Sequence, residues 1–183
     1  SISGLHKKKM FELYNDGIVR LEDIPNDYKL NDAQRLQVEC YMDGHTHIDS
    51  NAIRSFINEL SYPLYFMDFE TFNPAIPLFD NSRPYQQIPF QYSLHYMSDK
   101  DAEPRHYEFL AETDGDPRRN FVEQLLHDTK RPGQILVYNQ QFEITRLKEL
   151  AELFQEYSTD IGKLISRVKD LMQPFRNKHY YSP

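Results

Sequence analysis

The run Leu64-Tyr65-Phe66-Met67-Asp68-Phe69 constrains this chain more than any other stretch. It is short, almost continuously apolar and rich in aromatic side chains, the pattern of a strand covered on both faces. Such a strand lies inside a sheet with layers on either side, so the surrounding chain must supply more strands and helices. Downstream, Phe90, Tyr92, Leu94 and Tyr96 alternate with Gln91, Ser93 and His95, the period of a strand with one core face. A third strand is expected around His106–Leu110. Asp116-Pro117 opens a helix as N-cap and first residue, with Phe121, Val122, Leu125 and Leu126 as its buried face and Pro132-Gly133 as its stop. A short strand over 135–138, a helix from about Gln140 to Glu156 and a helix-to-strand stretch over 161–172 complete the series. Three strands joined by short links predict an antiparallel meander, and strands separated by helices then add in parallel. The expected class is α/β, a mixed sheet flanked by helices over residues 61–183.

Residues 1–60 follow a different period and read as a small helical lead-in. One helix begins near Lys7 and is stopped by Asp16-Gly17. A second runs from Asn31 to about Met42 and ends at Gly44. A third has Ser50 as N-cap and Ile53, Phe56, Ile57 and Leu60 as its apolar stripe. The formal net charge of −7 rules out a globally basic nucleic-acid binder, so any such site must be a local patch or a metal centre. The single cysteine, Cys40, excludes an internal disulfide and points to a reducing, cytoplasmic setting. No apolar stretch is long enough to span a membrane and no signal-peptide pattern opens the sequence. The start at Ser1 and the end at Tyr180-Tyr181-Ser182-Pro183 read as cuts through a longer protein, so the second region is expected to be incomplete at its C-terminus.

Two segments carry chemistry. In Tyr65-Phe66-Met67-Asp68-Phe69-Glu70-Thr71, strand alternation points Asp68 and Glu70 the same way, in a row with Leu64 and Phe66. Like charges at the end of an apolar row persist where they bind a cation, pair with a base or reach water. In Val137-Tyr138-Asn139-Gln140-Gln141-Phe142-Glu143, a buried strand turns into a helix. Glu143, Leu147, Leu150, Ala151 and Phe154 share one face of that helix, so Glu143 heads its buried stripe. Arg146, Lys148, Glu149 and Glu152 are expected on solvated sides, and Asn139 as the helix N-cap. Asp68, Glu70 and Glu143 together make a three-acid cluster of the kind that two-metal phosphodiester cleavage requires.

Phe66-Met67-Asp68-Phe69-Glu70-Thr71 resembles the first motif of the DnaQ-like (DEDD) exonuclease superfamily, and Val137-Tyr138-Asn139-Gln140-Gln141-Phe142-Glu143 resembles its second. The longer segments Tyr62–Thr71, Arg83–Gln91 and Ile135–Asn139 also resemble an uncharacterised bacterial domain-of-unknown-function family, often found with a RecB-type nuclease module upstream. The resemblance implies a ribonuclease H-like fold and hydrolysis of single-stranded DNA or RNA with Mg2+ or Mn2+. It implies Asp68, Glu70 and Glu143 as metal ligands and catalytic residues, with Glu143 standing where the superfamily usually has Asp. A fourth acid and its His or Tyr base would follow the sequence given, so these residues alone are expected to be inactive or weak. Asp170 matches an acid between the second and third motifs and reads as structural. Thr71, Arg83, Tyr85, Gln86 and Asn139 are the candidate substrate contacts, Arg83 and the glutamines for phosphate and base, Tyr85 for stacking.

Other features are weaker. His45-Thr46-His47 near Cys40 fits no common zinc spacing and reads as solvated loop. His95 lies at a polar strand position from which it could approach the cleft. Lys163, Arg167, Lys169, Arg176 and Lys178 form a basic C-terminal stretch, a nucleic-acid track or a solvated face. Two other readings of the acids are a catalytically degenerate nucleic-acid- or protein-binding module and a set of structural salt bridges.

Overall fold

The structure, a computed structural model, describes residues 2–183. The chain divides into two compact units, one running up to Ile57 and taking in Gln173–Pro183, the other Asn58–Met172. Residues 173–183, grouped by sequence with the second region, thus belong to the first unit.

The first unit holds helix α1 (Lys7–Asn15), helix α2 (Asp32–Asp43), strand β1 (His47–Ile48) and helix α3 (Ser50–Asn58), the last crossing into the second unit by one residue. α2 is bounded as its sequence dictates. The Asn31 side chain accepts from the Gln34 backbone N–H (2.9 Å) while the Gln34 side chain accepts from that of Asn31 (3.1 Å). Gly44 ends it in the left-handed conformation, φ +63°, that glycine adopts at no steric cost. Ser50 is not the cap of α3: the Asp49 carboxylate accepts from the Ala52 N–H at 3.0 Å, one residue earlier than expected. β1 pairs antiparallel with Tyr180–Tyr181.

The second unit is built on a five-stranded mixed sheet. Its strands are β2 (Leu64–Phe72), β3 (Ile88–Met97), β4 (Arg105–Leu110), β5 (Gln134–Val137) and β6 (Val168–Asp170), in the order β4-β3-β2-β5-β6. β2, β3 and β4 form the antiparallel meander, and β5 and β6 add in parallel, as the spacing of helices predicts. Helices α4 (Arg118–Asp128), α5 (Gln141–Leu153) and α6 (Ser158–Ile165) connect the later strands.

The core lies against one face of the sheet. Tyr65, Met67 and Phe69 of β2 and Tyr92, Leu94 and Tyr96 of β3 meet Phe121 and Leu125 of α4, Leu147 and Leu150 of α5, and Ile161 and Leu164 of α6. Phe121 packs edge-on against Phe69, Tyr92 and Phe109 with centroids 5.1, 5.4 and 5.7 Å apart. The opposite face of β2 is buried only at its start: Leu64 is buried, Phe66 half-buried, Asp68 and Glu70 exposed.

Helix starts differ from the sequence reading by a residue or two. α4 begins at Arg118 with Pro117 at the cap position, and Asp116 accepts from the Arg118 N–H at 3.1 Å. α4 ends at Asp128, before Pro132-Gly133, and α5 gives way after Leu153 to a 3-10 turn over Gln155–Tyr157.

Candidate metal centre

β2 is the strand at which the sheet changes direction, antiparallel to β3 on one side and parallel to β5 on the other. In α/β sheets, ligands gather beyond the carboxyl ends of the strands where the connections diverge. The parallel pairing of β2 with β5 ends at Phe66 opposite Leu136, so Asp68 and Glu70 lie just past it. A bulge between Glu70 and Thr71 then breaks the register with β3, a device that re-aims side chains and terminates pairing. Thr71, half-buried, follows that bulge.

Glu143 arrives from the other side of the same strand ends, in the first turn of α5. The turn that carries it there puts Asn139 in the left-handed region at φ +70°, which Asn tolerates better than most residues. Asn139 is therefore not the N-cap: Gln140 occupies that position and its side chain makes no capping bond. The Asn139 N–H instead donates to Asp170 at 2.9 Å, and the same carboxylate oxygen accepts from the Met172 N–H at 2.9 Å. Asp170, buried at the end of β6, thus ties the β5–α5 turn to the strand beside it, in keeping with a structural role.

The Glu143 carboxyl is the least ordinary group in the unit. It is 1% exposed, and its Oε2 has no hydrogen-bond partner. Burial first, then the charges of Asp68 and Asp170, push it up to about 7 against the pull of its own backbone N–H. Glu70 does not contribute to that rise. Asp68, Glu70 and Glu143 form no ion pair among the described residues, which removes the salt-bridge explanation for their placement. The unpartnered Glu143 Oε2 is an oxygen donor of the type that Mg2+ or Mn2+ takes. The coordination shell is not ready-made: among the described residues, no group of three or more His, Cys, Asp or Glu side chains is arranged to hold a metal ion.

The other candidates, Arg83, Tyr85 and Gln86, lie on the 73–87 loop between β2 and β3. Arg83, 70% exposed at its side chain, pairs with Glu149 of α5 at 3.0 Å, and Gln86 accepts from the Arg83 N–H at 3.1 Å. Tyr85 is exposed, with φ +58°. Arg146 is buried rather than solvated, because the 73–87 loop covers its side of α5: it donates to Gln87 and to Glu149 (2.9 Å). Arg118, unremarked in the sequence, clamps the same loop. It is 3% exposed, pairs with Asp116 at 2.6 Å and donates to the Asp80 carbonyl at 2.7 Å. Its only sequence signal was its place beside the Asp116-Pro117 helix start. Arg83, Arg118, Gln86 and Glu149 line one wall of a cavity of about 510 Å³.

Arg167 does not belong to a free basic track. Its guanidinium donates to the carbonyls of Gly133 (2.6 Å), Thr129 (2.8 Å) and Arg131 (2.8 Å), and Lys163 pairs with Asp160 at 2.8 Å. His45 approaches Cys40 at 3.6 Å through Nε2 and Asp43 at 3.8 Å through Nδ1. No helix among the described residues is long and apolar enough to cross a membrane.

Residues 65–183 match the family described as Domain of unknown function (DUF2779). An uncharacterized protein of Ureaplasma parvum, UU173, is 31% identical over 150 residues, which is 78% of this chain and 21% of that protein. The chain thus spans about a fifth of the length of the curated relative it matches. No solved structure matches.

Proposed function

We propose that this chain, which belongs to the DUF2779 family, carries a divalent-metal-dependent nuclease domain of the exonuclease type, with a ribonuclease H-like sheet. The observation that carries this reading is Glu143: a buried carboxylate with one oxygen unpartnered, raised by that burial and then by the charges of Asp68 and Asp170, at the carboxyl ends of β2, β5 and β6. Leaving it there costs folding energy, and a cation is the simplest compensation. The strand order supports the reading, since an antiparallel meander extended by parallel strands puts Asp68-Phe69-Glu70 on the central strand.

Asp68, Glu70 and Glu143 would hold the ion. When bound, Mg2+ or Mn2+ would activate a water and stabilise the leaving oxygen of a phosphodiester. The protein's part is to fix the acids on rigid elements, the Asp170 tie holding the turn that aims Glu143. Substrate would be single-stranded DNA or RNA, cut from its 3′ end, within a larger protein that includes a RecB-type module.

The test uses longer protein containing this region, 3′- and 5′-labelled single-stranded oligonucleotides, and Mn2+ or Mg2+. Metal-dependent shortening from the 3′ end that disappears in Asp68→Ala supports the proposal. Activity unchanged in Asp68→Ala sinks it. The absence of a ready-made coordination shell and the Glu in place of the usual Asp favour a second reading, a degenerate binding module. That reading predicts oligonucleotide binding, or protein binding, without cleavage.

A further inference from the structure

The sheet face turned away from the core helices carries a cavity of about 430 Å³, within the range of small-ligand sites. Phe66, Asp68, Ser93, His95, Leu136 and Tyr138 are among its walls. Strand register explains the grouping: Asp68 pairs with Ser93, and Phe66 with both His95 and Leu136, so these side chains share one face.

His95 is the informative member. It forms no hydrogen bond or ion pair among the described residues, yet its ring is held. It stacks on His106 with centroids 4.4 Å apart and planes 21° from parallel, and His106 is itself fixed by Nε2 at 3.1 Å from Ser93 Oγ. The result is an oriented ring with polar edges and no partner, set between an apolar floor (Phe66, Leu136) and an exposed aromatic, Tyr138. A planar heteroaromatic ligand meets all of these demands at once, offering a face to stack and an edge to hydrogen-bond. An aliphatic ligand would leave the His95 edge unmatched.

We propose that this cavity is a nucleobase pocket, occupied by the base of a nucleotide whose phosphate lies toward Asp68. Only the placing of the phosphate rests on the metal reading given above. The pocket supplies stacking and edge contacts. It supplies no cation of its own for phosphate, because its one charged wall residue is acidic. Base binding is therefore independent of metal, and phosphate binding is not.

Chemical-shift titration of the protein with adenosine, and then with adenosine 5′-monophosphate with and without Mg2+, separates the two. In metal-free buffer adenosine should move the amide signals of Phe66, Ser93, His95 and Tyr138. Mg2+ should tighten the monophosphate and leave adenosine unchanged. His95→Ala should weaken adenosine about tenfold, the usual loss when a stacking partner is removed. His95→Gln, which keeps a polar edge without the ring, should fall between. Tyr14→Ala, an exposed aromatic on α1 of the first unit, should bind as wild type. No adenosine response at these residues, or an undiminished one in His95→Ala, overturns the pocket. Adenosine binding here with no Mg2+ response at Asp68 or Glu143 keeps the pocket and overturns the metal reading instead.

Discussion

Replacing Glu143 by Gln should make the protein more stable above about pH 4.5, increasingly so up to about pH 7. The side chain is 1% exposed with one oxygen unpartnered, and its carboxyl is raised from 4.5 to about 7. A group whose folded-state value lies above its unfolded one binds its proton more tightly in the fold. Both states are protonated below about pH 4.5, so Glu143 costs nothing there. As pH rises through that interval the unfolded chain releases the proton first, and folded stability falls. At about 1.4 kcal/mol for each pH unit between the two values, the full cost above pH 7 is on the order of 3 kcal/mol. Gln keeps the shape and carries no charge, so Glu143→Gln removes that cost. Urea unfolding followed by far-ultraviolet circular dichroism, in chelator-treated buffer at steps from about pH 4 to pH 8, measures it. The two proteins should match at the acid end and diverge in favour of the variant as pH rises. A constant difference across the range, or a variant less stable at about pH 8, would refute the claim that an unpaired buried carboxylate burdens this fold.

Four further outcomes are expected. Mn2+ or Mg2+ should raise the melting temperature of wild type at about pH 8 and leave Asp68→Ala unmoved, and calorimetric titration of both proteins should agree. Arg118→Ala removes a buried guanidinium and its bond to the Asp80 carbonyl while leaving Asp116 in water, so it should cost about 1–3 kcal/mol and speed hydrogen exchange across the 73–87 loop. Phe121→Ala, at the centre of the aromatic cluster, should cost about 3–5 kcal/mol in denaturant unfolding. Gly133→Ala should destabilise the second unit, because Gly133 has φ +140° and an added Cβ would stand 2.5 Å from the Pro63 carbonyl oxygen; a variant that melts with wild type would contradict this.

Local rules alone determined much of this protein. The strand periods of 64–72 and 88–97, the capping box of α2, the Gly44 stop and the buried stripe headed by Glu143 all follow from neighbours within a few residues. The antiparallel-then-parallel sheet follows almost as directly, because helices interrupt only the later strands. Tertiary structure decided the rest. Arg146 looked solvated on its helix, but a loop whose Gln87 is 59 residues away in sequence lies over it. Asn139 looked like a cap, but Asp170 of a later strand draws its N–H and leaves the backbone left-handed. The polar grouping of Asp68, Ser93 and His95 depends on strand register, which one residue of slippage would reverse. Periodicity tells which side of its own element a residue occupies. What stands opposite is fixed only when separate elements pack, and the charge on Glu143 is a property of that packing.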